Sequence, residues 1–284
     1  MGKTAMDQYC VLGNPVEHSK SPSIQNRFAE LASQAMHYDK RLVPLDGFSR
    51  AIAAFRADGG RGCNVTVPFK LQAAALADHV SPRVSLAQAC NTLRFEADGI
   101  HADNTDGVGL INDITLNAGV PLAGRDVLLI GAGGAGSGVL GPLLEQRPAR
   151  VVLANRTPAR AADVAARHAA LATQCGVALL ACGLSDAPVL QGRFDVVINA
   201  SSSSLSGTGV PVPASVLKPG SLACDLMYGP AAQGFLDWAT AHGAVARDGL
   251  GMLVEQAAVA FGFWRGVRPP TAPVLAELRQ KLAG

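Results

Sequence analysis

The stretch Asp126-Val-Leu-Leu-Ile-Gly-Ala-Gly-Gly-Ala-Gly136 decides the fold of this chain. It begins with a fully apolar run, Val127–Ile130, which predicts a strand buried in a parallel sheet. Glycines follow at positions 131, 133 and 136, and the apolar periodicity of Val139–Leu144 predicts a helix behind them. A strand, a G-x-G-x-x-G turn and a helix in this order predict a dinucleotide-binding βα unit. The free N–H groups and the positive dipole end of the helix would receive the pyrophosphate.

The residues after the next predicted strand favour NADP over NAD. That strand, Val151–Ala154, ends where an NAD-dependent protein usually carries Asp or Glu for the ribose 2′-hydroxyl. Here Asn155-Arg156-Thr157 stands in that place, with Arg160 one helical turn further on. Two guanidinium groups can clamp a 2′-phosphate, which a carboxylate would repel, and they can also stack on adenine. We therefore predict NADP as the cofactor, with a pair of solvated surface arginines as the alternative interpretation.

Outside this unit, short apolar runs alternate with longer helical patterns along almost the whole chain, which predicts an α/β fold. A hairpin is predicted at Asp98-Gly99, and the character of the sequence changes after Asp106. We predict an N-terminal α/β domain over residues 1–106, a Rossmann-type, doubly wound parallel sheet over 107–249, and C-terminal helices over 250–284.

Charge and composition exclude several classes of partner. The formal net charge is +2, and Lys and Arg are spread out, so the chain lacks the basic stripe of a nucleic-acid surface. No apolar run reaches the length of a membrane span, and Gly251–Trp264, for example, contains Glu255 and Gln256. The six cysteines form no C-x-x-C pair and no zinc-site spacing, which predicts a reduced, cytoplasmic protein without a bound metal. The polar start, Met1–Gln8, lacks the apolar stretch of a signal peptide.

Three polar clusters stand in the first predicted domain. The first, around Ser19 and Ser21, follows the first predicted strand. Its hydroxyls can orient a polyol or a carboxylate, although a helix N-cap explains one of them equally well. In the second, Asn64 and Thr66 alternate with valines on one predicted strand, Gly62–Val67, and are therefore expected to share the face opposite the core.

Lys70 and Asp106 are the predicted catalytic pair. Lys70 follows the second cluster on the first turn of the next predicted helix, and Asp106 closes the third cluster, which begins with Asn91-Thr92. A hydride transfer to a ketone needs a proton donor for the developing alkoxide, and the reverse reaction needs a base. A lysine that is oriented by an aspartate can serve in both directions. A solvated lysine and a helix N-cap aspartate are the alternative interpretations of these two residues.

Taken together, these motifs resemble the bacterial shikimate dehydrogenase family over nearly the full chain. The resembling segments are GNPVEHSKSP at 13–22, NVTVPFK at 64–70, CNTL at 90–93, DNTDG at 103–107, GAGGAG at 131–136, NRT at 155–157 and DGLGMLVEQAA at 248–258. The resemblance implies a reversible, NADPH-dependent reduction of 3-dehydroshikimate to shikimate, within chorismate and aromatic amino-acid biosynthesis. It also implies an open two-domain fold, with a cleft between the domains and C-terminal helices that return to the N-terminal domain.

The resemblance further implies a role for each matching position. Lys70 and Asp106 match the catalytic lysine and its aspartate partner. The positions that match substrate-binding residues are Ser19, Ser21, Asn64, Thr66, Asn91, Tyr228 and Gln256. The positions that match cofactor-binding residues are Gly131, Ala132, Gly133, Gly134, Ala135, Asn155, Arg156, Thr157, Arg160, Leu226 and Gly249. Four sites depart from the family pattern: Gly136-Ser137 replaces a more usual Ser/Ala-Arg pair, Leu226 replaces a Met, Ser201 replaces a Thr, and Pro82 stands where some members have Glu.

Two alternative functions stay open at this point. One is a related enzyme that oxidises quinate, or both quinate and shikimate, with NAD or NADP. The other is a catalytically silent nucleotide sensor on the same fold. The triplet Asn155-Arg156-Thr157 favours NADP and the biosynthetic enzyme, and the presence of both Lys70 and Asp106 argues against the sensor. We expect a monomer or homodimer whose cleft closes on binding, with hinges near Asp106 and Gly249.

Overall fold

The computed structural model describes residues 6–201, 203 and 209–283, and the chain divides into two compact units. The first contains the described residues up to Gly109 together with those from Val254 onward, and the second contains Leu110–Leu253. Of the polar start Met1–Gln8, residues 1–5 lie outside the described ranges. None of the helices within those ranges combines the length and the apolar character that a membrane crossing requires.

The first unit is built on a mixed, six-stranded sheet. Its strands are β1 (Asp7–Gly13), β2 (Met36–Leu42), β3 (Gly60–Val65), β4 (His79–Val80), β5 (Thr92–Glu96) and β6 (Gly99–Asp103). They are ordered β2-β1-β3-β5-β6-β4. β1 is parallel to β2 and β3, and β4 is parallel to β6, whereas β5 is antiparallel to both β3 and β6. The hairpin predicted at Asp98-Gly99 connects β5 and β6, and Gly99 has a φ of +138° there.

The second unit carries an entirely parallel sheet. Its strands are β7 (Asp126–Ile130), β8 (Arg150–Asn155), β9 (Ala178–Gly183), β10 (Phe194–Asn199), β11 (Leu217–Asp225) and β12 (Val245–Arg247). They are ordered β12-β11-β10-β7-β8-β9, and each neighbouring pair is parallel. Read from β9, this is the order of the doubly wound dinucleotide fold, in which the winding reverses between β7 and β10. The α/β class and the Rossmann-type sheet are therefore confirmed.

The helices follow the predicted rhythm closely. They are α1 (Ser21–Leu31), α2 (Phe48–Ala57), α3 (Lys70–Leu76), α4 (Pro82–Ala87), α5 (Asp106–Asn112), α6 (Gly134–Glu145), α7 (Pro158–Cys175), α8 (Ala187–Leu190), α9 (Gln233–Ala241), α10 (Leu250–Arg265) and α11 (Ala272–Ala283). In the first unit, α10 packs on the sheet: Trp264 Nε1 donates to the Leu93 carbonyl at 2.9 Å, and its ring centroid lies 4.8 Å from that of Tyr9. In the second unit, strands β7, β8 and β10 are buried on both faces, as their continuous apolar runs predict.

Strand β3 ends earlier than predicted. It stops at Val65 rather than Val67, because the backbone N–H of Phe69 donates to the Thr66 carbonyl at 3.0 Å and closes a turn. Pro68, inside this turn, has no N–H with which to extend a strand ladder. Thr66 therefore lies in the turn and not on the strand face where it was predicted.

The helical segment after β6 has two parts. Its first part, α5, begins at Asp106, and a π-helical turn covers Asp113–Asn117. The buried carboxylate of Asp113, the first residue of this turn, accepts hydrogen bonds from Nε and Nη2 of Arg247, both at 2.6 Å. The widened turn thus begins at a residue that is already held by an ion pair inside the second unit.

Candidate active site

A lysine–aspartate ion pair marks the first unit. Lys70 begins α3 after the turn that ends β3, and Asp106 begins α5 shortly after β6. Lys70 Nζ lies 2.5 Å from Asp106 Oδ2, and the lysine side chain is only 24% exposed. Lys70 is therefore ion-paired and largely covered rather than freely solvated. Asp106 is the first residue of α5 rather than the residue before the helix, and its N–H donates to Asn104 Oδ1 at 3.2 Å.

Asn91, which is 3% exposed, connects this ion pair to the neighbouring polar groups. Its Nδ2 lies 2.8 Å from Asp106 Oδ1, 3.0 Å from Thr105 Oγ1 and 3.4 Å from Gln256 Oε1. Its Oδ1 accepts hydrogen bonds from the Thr105 N–H and the Thr92 hydroxyl, both at 2.9 Å. The amide therefore contacts one carboxylate oxygen of Asp106 while the lysine contacts the other, which fixes the plane of the carboxylate.

A buried tyrosine that was not predicted from the sequence supports this network. The Tyr38 hydroxyl donates to Asn64 Oδ1 at 2.7 Å, and Asn64 Nδ2 donates to the Asn91 carbonyl at 3.1 Å. Burial raises the pKa of the Tyr38 hydroxyl well above its usual value, with a side-chain hydrogen bond to Ser21 opposing part of the rise. The phenol therefore stays protonated and orients the Asn64 amide. The available signal was a tyrosine at an inward position of β2, a strand whose other residues are mostly charged or polar.

The loop that carries Asp106 is held by a second carboxylate. Asp103, at the end of β6, is buried and accepts hydrogen bonds from Ser81 Oγ at 2.7 Å and Arg83 Nε at 3.1 Å. Ser81 also caps α4, because its Oγ accepts a hydrogen bond from the Val84 N–H at 3.3 Å. The start of α4 therefore holds the end of β6 in place, three residues before Asp106.

The serine loop and Thr66 lie beside the carboxyl end of β1. Ser21 begins α1 and is buried, and its N–H lies 3.3 Å from the hydroxyl oxygen of the half-buried Ser19. The residue at the N-cap of α1 is Lys20, whose side chain makes no capping hydrogen bond. Thr66 contacts the end of β1 so closely that a Cβ on Gly13 would lie 2.3 Å from its Cγ2. The absence of a side chain at Gly13 therefore leaves the space that the Thr66 side chain occupies.

In the second unit, backbone atoms form the predicted nucleotide turn. Gly131 follows β7 with a φ of +105°, in the region that favours glycine, and a Cβ there would lie 2.9 Å from the backbone of Ala200. A Cβ on Gly136, inside α6, would lie 1.9 Å from the Gly131 carbonyl oxygen. These two glycines are therefore required by close packing of the turn against its own helix and against the neighbouring strand end.

The middle of the turn is open. Apart from the adjoining residues and the backbone of the same helix, no atom of the described ranges lies within 4 Å of a Cβ placed on Gly133 or Gly134, and both residues are exposed. Helix α6 begins here without a side-chain cap. The N–H groups in the first turn of a helix have no acceptor within the helix and point out of its N-terminus. Bare glycines at an uncapped helix start leave the room and the donors that a dinucleotide pyrophosphate requires.

The end of β8 adjoins this turn. Asn155 Oδ1 accepts a hydrogen bond from the Ala132 N–H at 3.1 Å, and Asn155 Nδ2 donates to the Thr157 carbonyl at 2.9 Å. Arg156 and Arg160 follow and are exposed, and residues 155–162 contain no acidic side chain. The asparagine therefore fastens a cationic, carboxylate-free segment to the glycine turn, which suits a 2′-phosphate.

The remaining predicted positions of the second unit lie at the carboxyl end of β11. Leu226 is buried and its N–H donates to the Asn199 carbonyl at 3.0 Å. A Cβ on Gly249 would lie 2.2 Å from the Leu226 carbonyl oxygen, and the Gly249 N–H donates to the Met227 carbonyl at 2.8 Å. Tyr228 is half-buried, and this burial raises the pKa of its hydroxyl. Leu226 and Gly249 are thus brought together, whereas Gln256 belongs to the first unit's network.

The second unit has the strand order and the open glycine turn of a dinucleotide-binding sheet, and the first unit of the same chain holds a lysine–aspartate pair. This combination is the arrangement of dinucleotide-dependent dehydrogenases. Three family models match the chain. They are the shikimate dehydrogenase substrate binding domain over residues 11–93, shikimate / quinate 5-dehydrogenase over 115–206, and the shikimate 5′-dehydrogenase C-terminal domain over 249–279.

Similar proteins agree with these matches. A shikimate dehydrogenase (NADP(+)) of Acidovorax sp. (strain JS42) is 66% identical over 279 residues, which cover 98% of each chain. This protein therefore belongs to the shikimate dehydrogenase family. The crystal structure of an Ael1 enzyme from Pseudomonas putida is 43% identical, with a TM-score of 0.87 and coverage of 96% of this chain and 98% of that one. The shikimate 5-dehydrogenase of Thermus thermophilus, solved with NADP(H) and shikimate, is 30% identical, with a TM-score of 0.83 and coverage of 97% and 99%.

Proposed function

We propose that this protein is an NADP-dependent shikimate dehydrogenase, which reversibly reduces 3-dehydroshikimate to shikimate in aromatic amino-acid biosynthesis. The observation that carries the proposal is the Lys70–Asp106 ion pair, with 2.5 Å between Nζ and Oδ2, set among buried amides and hydroxyls. The name of the Acidovorax relative and the NADP(H) and shikimate bound to the Thermus enzyme support the choice of cofactor and substrate.

Lys70 is the proposed proton carrier. Bound NADPH would supply the hydride to the carbonyl carbon of the substrate. The Lys70 ammonium gives a proton to the carbonyl oxygen as that oxygen becomes an alkoxide, and in the reverse direction the neutral amine removes the hydroxyl proton. Asp106 holds Nζ in place, and Asn91 holds the second oxygen of the same carboxylate at 2.8 Å. The proton is therefore delivered from one defined position, which is the condition for efficient general acid–base catalysis.

Buried and half-buried amides and hydroxyls are the proposed substrate contacts. The hydroxyls of Ser19 and Ser21 bind the substrate carboxylate. The carboxylate and hydroxyls are further held by Asn64, Thr66, Asn91, Tyr228 and Gln256. A site of this kind discriminates by hydrogen bonding, because an analogue that lacks a hydroxyl leaves a buried amide unpaired.

The glycine turn and the end of β8 are the proposed cofactor contacts. The segment Gly131–Ala135 surrounds the pyrophosphate, which accepts hydrogen bonds from the N–H groups of Gly133, Gly134 and Ala135, because the N–H groups of the first two residues already donate to the end of β8. The adenosine end, with its 2′-phosphate, lies against Asn155, Arg156, Thr157 and Arg160. Leu226 and Gly249 line the place of the nicotinamide, where the close approach at the Leu226 carbonyl leaves no room for a side chain on residue 249.

The proposal also covers the roles of the domains, the cellular location and the oligomeric state. Residues 1–106 bind substrate, 107–249 bind NADP, and 250–284 complete the substrate unit. A cytoplasmic location is supported by the cysteines, all six of which are free. The protein is proposed to be a monomer or homodimer, which sedimentation of the purified enzyme measures directly.

Four parallel turnover assays test the proposed function, with shikimate or quinate as substrate and NADP or NAD as cofactor. We expect kcat/KM to be highest for shikimate with NADP. Equal or faster turnover of quinate would replace the proposal with a quinate/shikimate enzyme. NADP binding without turnover of either acid would instead indicate a nucleotide sensor.

A further inference from the structure

Three side chains converge at the edge of the first unit's sheet, outside the Lys70–Asp106 network. His79 in β4 and His101 in β6 are partners in the parallel register, and Asp98 lies in the hairpin turn that precedes β6. His101 Nε2 lies 2.9 Å from Asp98 Oδ1, and His79 Nε2 lies 3.5 Å from Asp98 Oδ2. The two imidazole rings stack with their centroids 4.4 Å apart. One possible ligand atom from each residue lies within 4.8 Å of the other two.

We propose that this cluster, the His79–Asp98–His101 site, binds one divalent late-transition-metal ion of the Zn²⁺ type. Two imidazole nitrogens and one carboxylate oxygen form a ligand set suited to Zn²⁺, Ni²⁺ and Cu²⁺. Metal–ligand bonds of about 2.0–2.1 Å at tetrahedral angles place neighbouring ligand atoms about 3.3 Å apart. The separations are 2.9 Å from His101 to Asp98 Oδ1 and 3.5 Å from His79 to Asp98 Oδ2, and one ligand atom from each residue lies within 4.8 Å of the other two, so side-chain rotation can bring three ligand atoms onto one ion.

The backbone holds the three ligands in place before any ion binds. β4 and β6 pair through His79 and His101, which fixes the spacing of the two imidazoles. The hairpin that carries Asp98 is tied to the residue before His79, because the Ile100 N–H donates to Asp78 Oδ2 at 2.8 Å. Residues that are separated by about twenty positions in sequence are thus joined by main-chain and side-chain hydrogen bonds. Such preorganisation lowers the entropy lost on binding.

The surrounding charges also favour a cation. Asp98 supplies the acidic side chain of the site, and this side chain is 63% exposed and therefore accessible to an ion. The cation directly across from His101 in β5 is Arg94. Its guanidinium is engaged elsewhere: Nη1 donates to the Phe263 carbonyl at 2.9 Å, and the group lies 4.6 Å from the centroid of the Phe263 ring. Its Nε also lies 2.9 Å from Glu96 Oε1, which offsets its charge.

Metal binding would clamp the short edge strand β4 to β6. The His79 and Asp98 side chains are 48% and 63% exposed, so solvent water can complete the coordination sphere. A site with three protein ligands, of which His79 and Asp98 are exposed and His101 is half-buried, binds more weakly than a closed, four-ligand structural zinc site, and we expect a dissociation constant on the order of micromolar. Within the described part of the chain, none of the three residues belongs to the Lys70–Asp106 network, so the site does not depend on the proposed function.

Zn²⁺ titration of the untagged, full-length, chelator-treated protein tests the proposal. Calorimetry is expected to show one Zn²⁺ per chain, and saturating Zn²⁺ is expected to raise the melting temperature by a few degrees. Electron paramagnetic resonance of the Cu²⁺ form is expected to show two nitrogen ligands. His79→Ala and His101→Ala should each weaken Zn²⁺ binding at least about tenfold, and Asp98→Asn, which keeps the side-chain shape, should also weaken it.

The matched control is His37→Ala, which removes an exposed histidine from β2 of the same unit and should leave Zn²⁺ affinity unchanged. Circular dichroism and shikimate turnover report whether each variant is folded. If His101→Ala does not fold, His79→Ala and Asp98→Asn decide the question. The proposal is overturned by absence of Zn²⁺ binding in the native protein at several hundred micromolar. It is equally overturned by native-like Zn²⁺ affinity in the folded variants, which would assign the ion to cysteines or other surface groups.

Discussion

The two functional regions of this protein are built in opposite ways. Around Lys70 and Asp106, side chains do the work, and each is held by buried hydrogen bonds to other side chains. Around Gly131 and Gly136, side chains are absent, because the backbone itself occupies or lines the space. Proton transfer needs one particular atom at one position, whereas a pyrophosphate needs several N–H groups and room. Substitutions in the first region should therefore lower turnover, whereas substitutions in the second should disturb backbone packing or the space for the cofactor.

The largest expected effect is that of Lys70→Ala. Because general acid–base catalysis typically contributes about 10²–10⁴-fold, turnover should fall at least about a hundredfold. The Kd for NADP should stay nearly unchanged, since the glycine turn is untouched. Steady-state kinetics and fluorescence titration of NADP measure the two quantities separately. Near-normal turnover would mean that water or another group carries the proton.

Asp106→Asn tests whether the lysine and the aspartate act as one unit. The substitution keeps the shape of the side chain but removes the charge that holds Nζ, so turnover should again fall. The double variant should then be little slower than the slower single variant, because residues that act together show strongly non-additive losses. Fully multiplicative losses in kcat would assign independent roles to the two residues.

Two alanine substitutions in the glycine turn should separate an effect on stability from an effect on NADP affinity. In Gly136→Ala the new Cβ would lie 1.9 Å from the Gly131 carbonyl oxygen, so the second unit should lose about 1–3 kcal/mol of stability or more. In Gly133→Ala the Cβ meets no described protein atom within 4 Å apart from the adjoining residues, and a φ of −83° suits alanine. Its melting temperature should therefore be normal, while its NADP affinity falls because the methyl group enters the pyrophosphate space. Calorimetric melting with NADP titration makes the comparison, and equal destabilisation by both variants would contradict it.

Arg156→Ala should have an intermediate and selective effect. Loss of one charged hydrogen bond to the 2′-phosphate costs about 1.5–3 kcal/mol, which corresponds to a rise of roughly one to two orders of magnitude in the KM for NADP. The KM for NAD should change little, because NAD lacks that phosphate. Equal losses with both cofactors would show that the arginine supports the adenosine or the local fold instead.

The smallest expected effect concerns a buried histidine in α7. Desolvation lowers the pKa of His168 below the ordinary 6.5, its Nδ1 donates to the Val164 carbonyl at 2.8 Å, and its Nε2 has no partner among the described residues. The unfolded chain therefore takes up this proton at higher pH than the folded chain, so stability declines as pH falls below about 6.5. The slope is at most about 1.4 kcal/mol per pH unit. Denaturant unfolding between pH 7 and 5 should show this decline, and His168→Leu should flatten it. An unchanged slope would assign the pH dependence to other groups.

The positions at which sequence-based prediction succeeded and failed follow from the range of the interactions. The glycine turn and the Asp98-Gly99 hairpin were predictable because backbone sterics act over a few residues. The extent of β3 was misjudged because alternation of apolar residues continues through the turn at Thr66. The contribution of Tyr38 was missed because one tyrosine in a polar strand does not indicate what its hydroxyl contacts.

By itself, the sequence determined the parallel α/β architecture, the dinucleotide turn with its carboxylate-free strand end, and the residue types available for proton transfer. All of these depend on local periodicity, glycine conformation and charge. Only the tertiary structure decided that Lys70 meets Asp106, that Asn91 contacts Gln256 across 165 positions, and that His79 stands beside His101. Such contacts depend on sheet order, register and helix packing, which bring distant segments together only when the whole unit has folded.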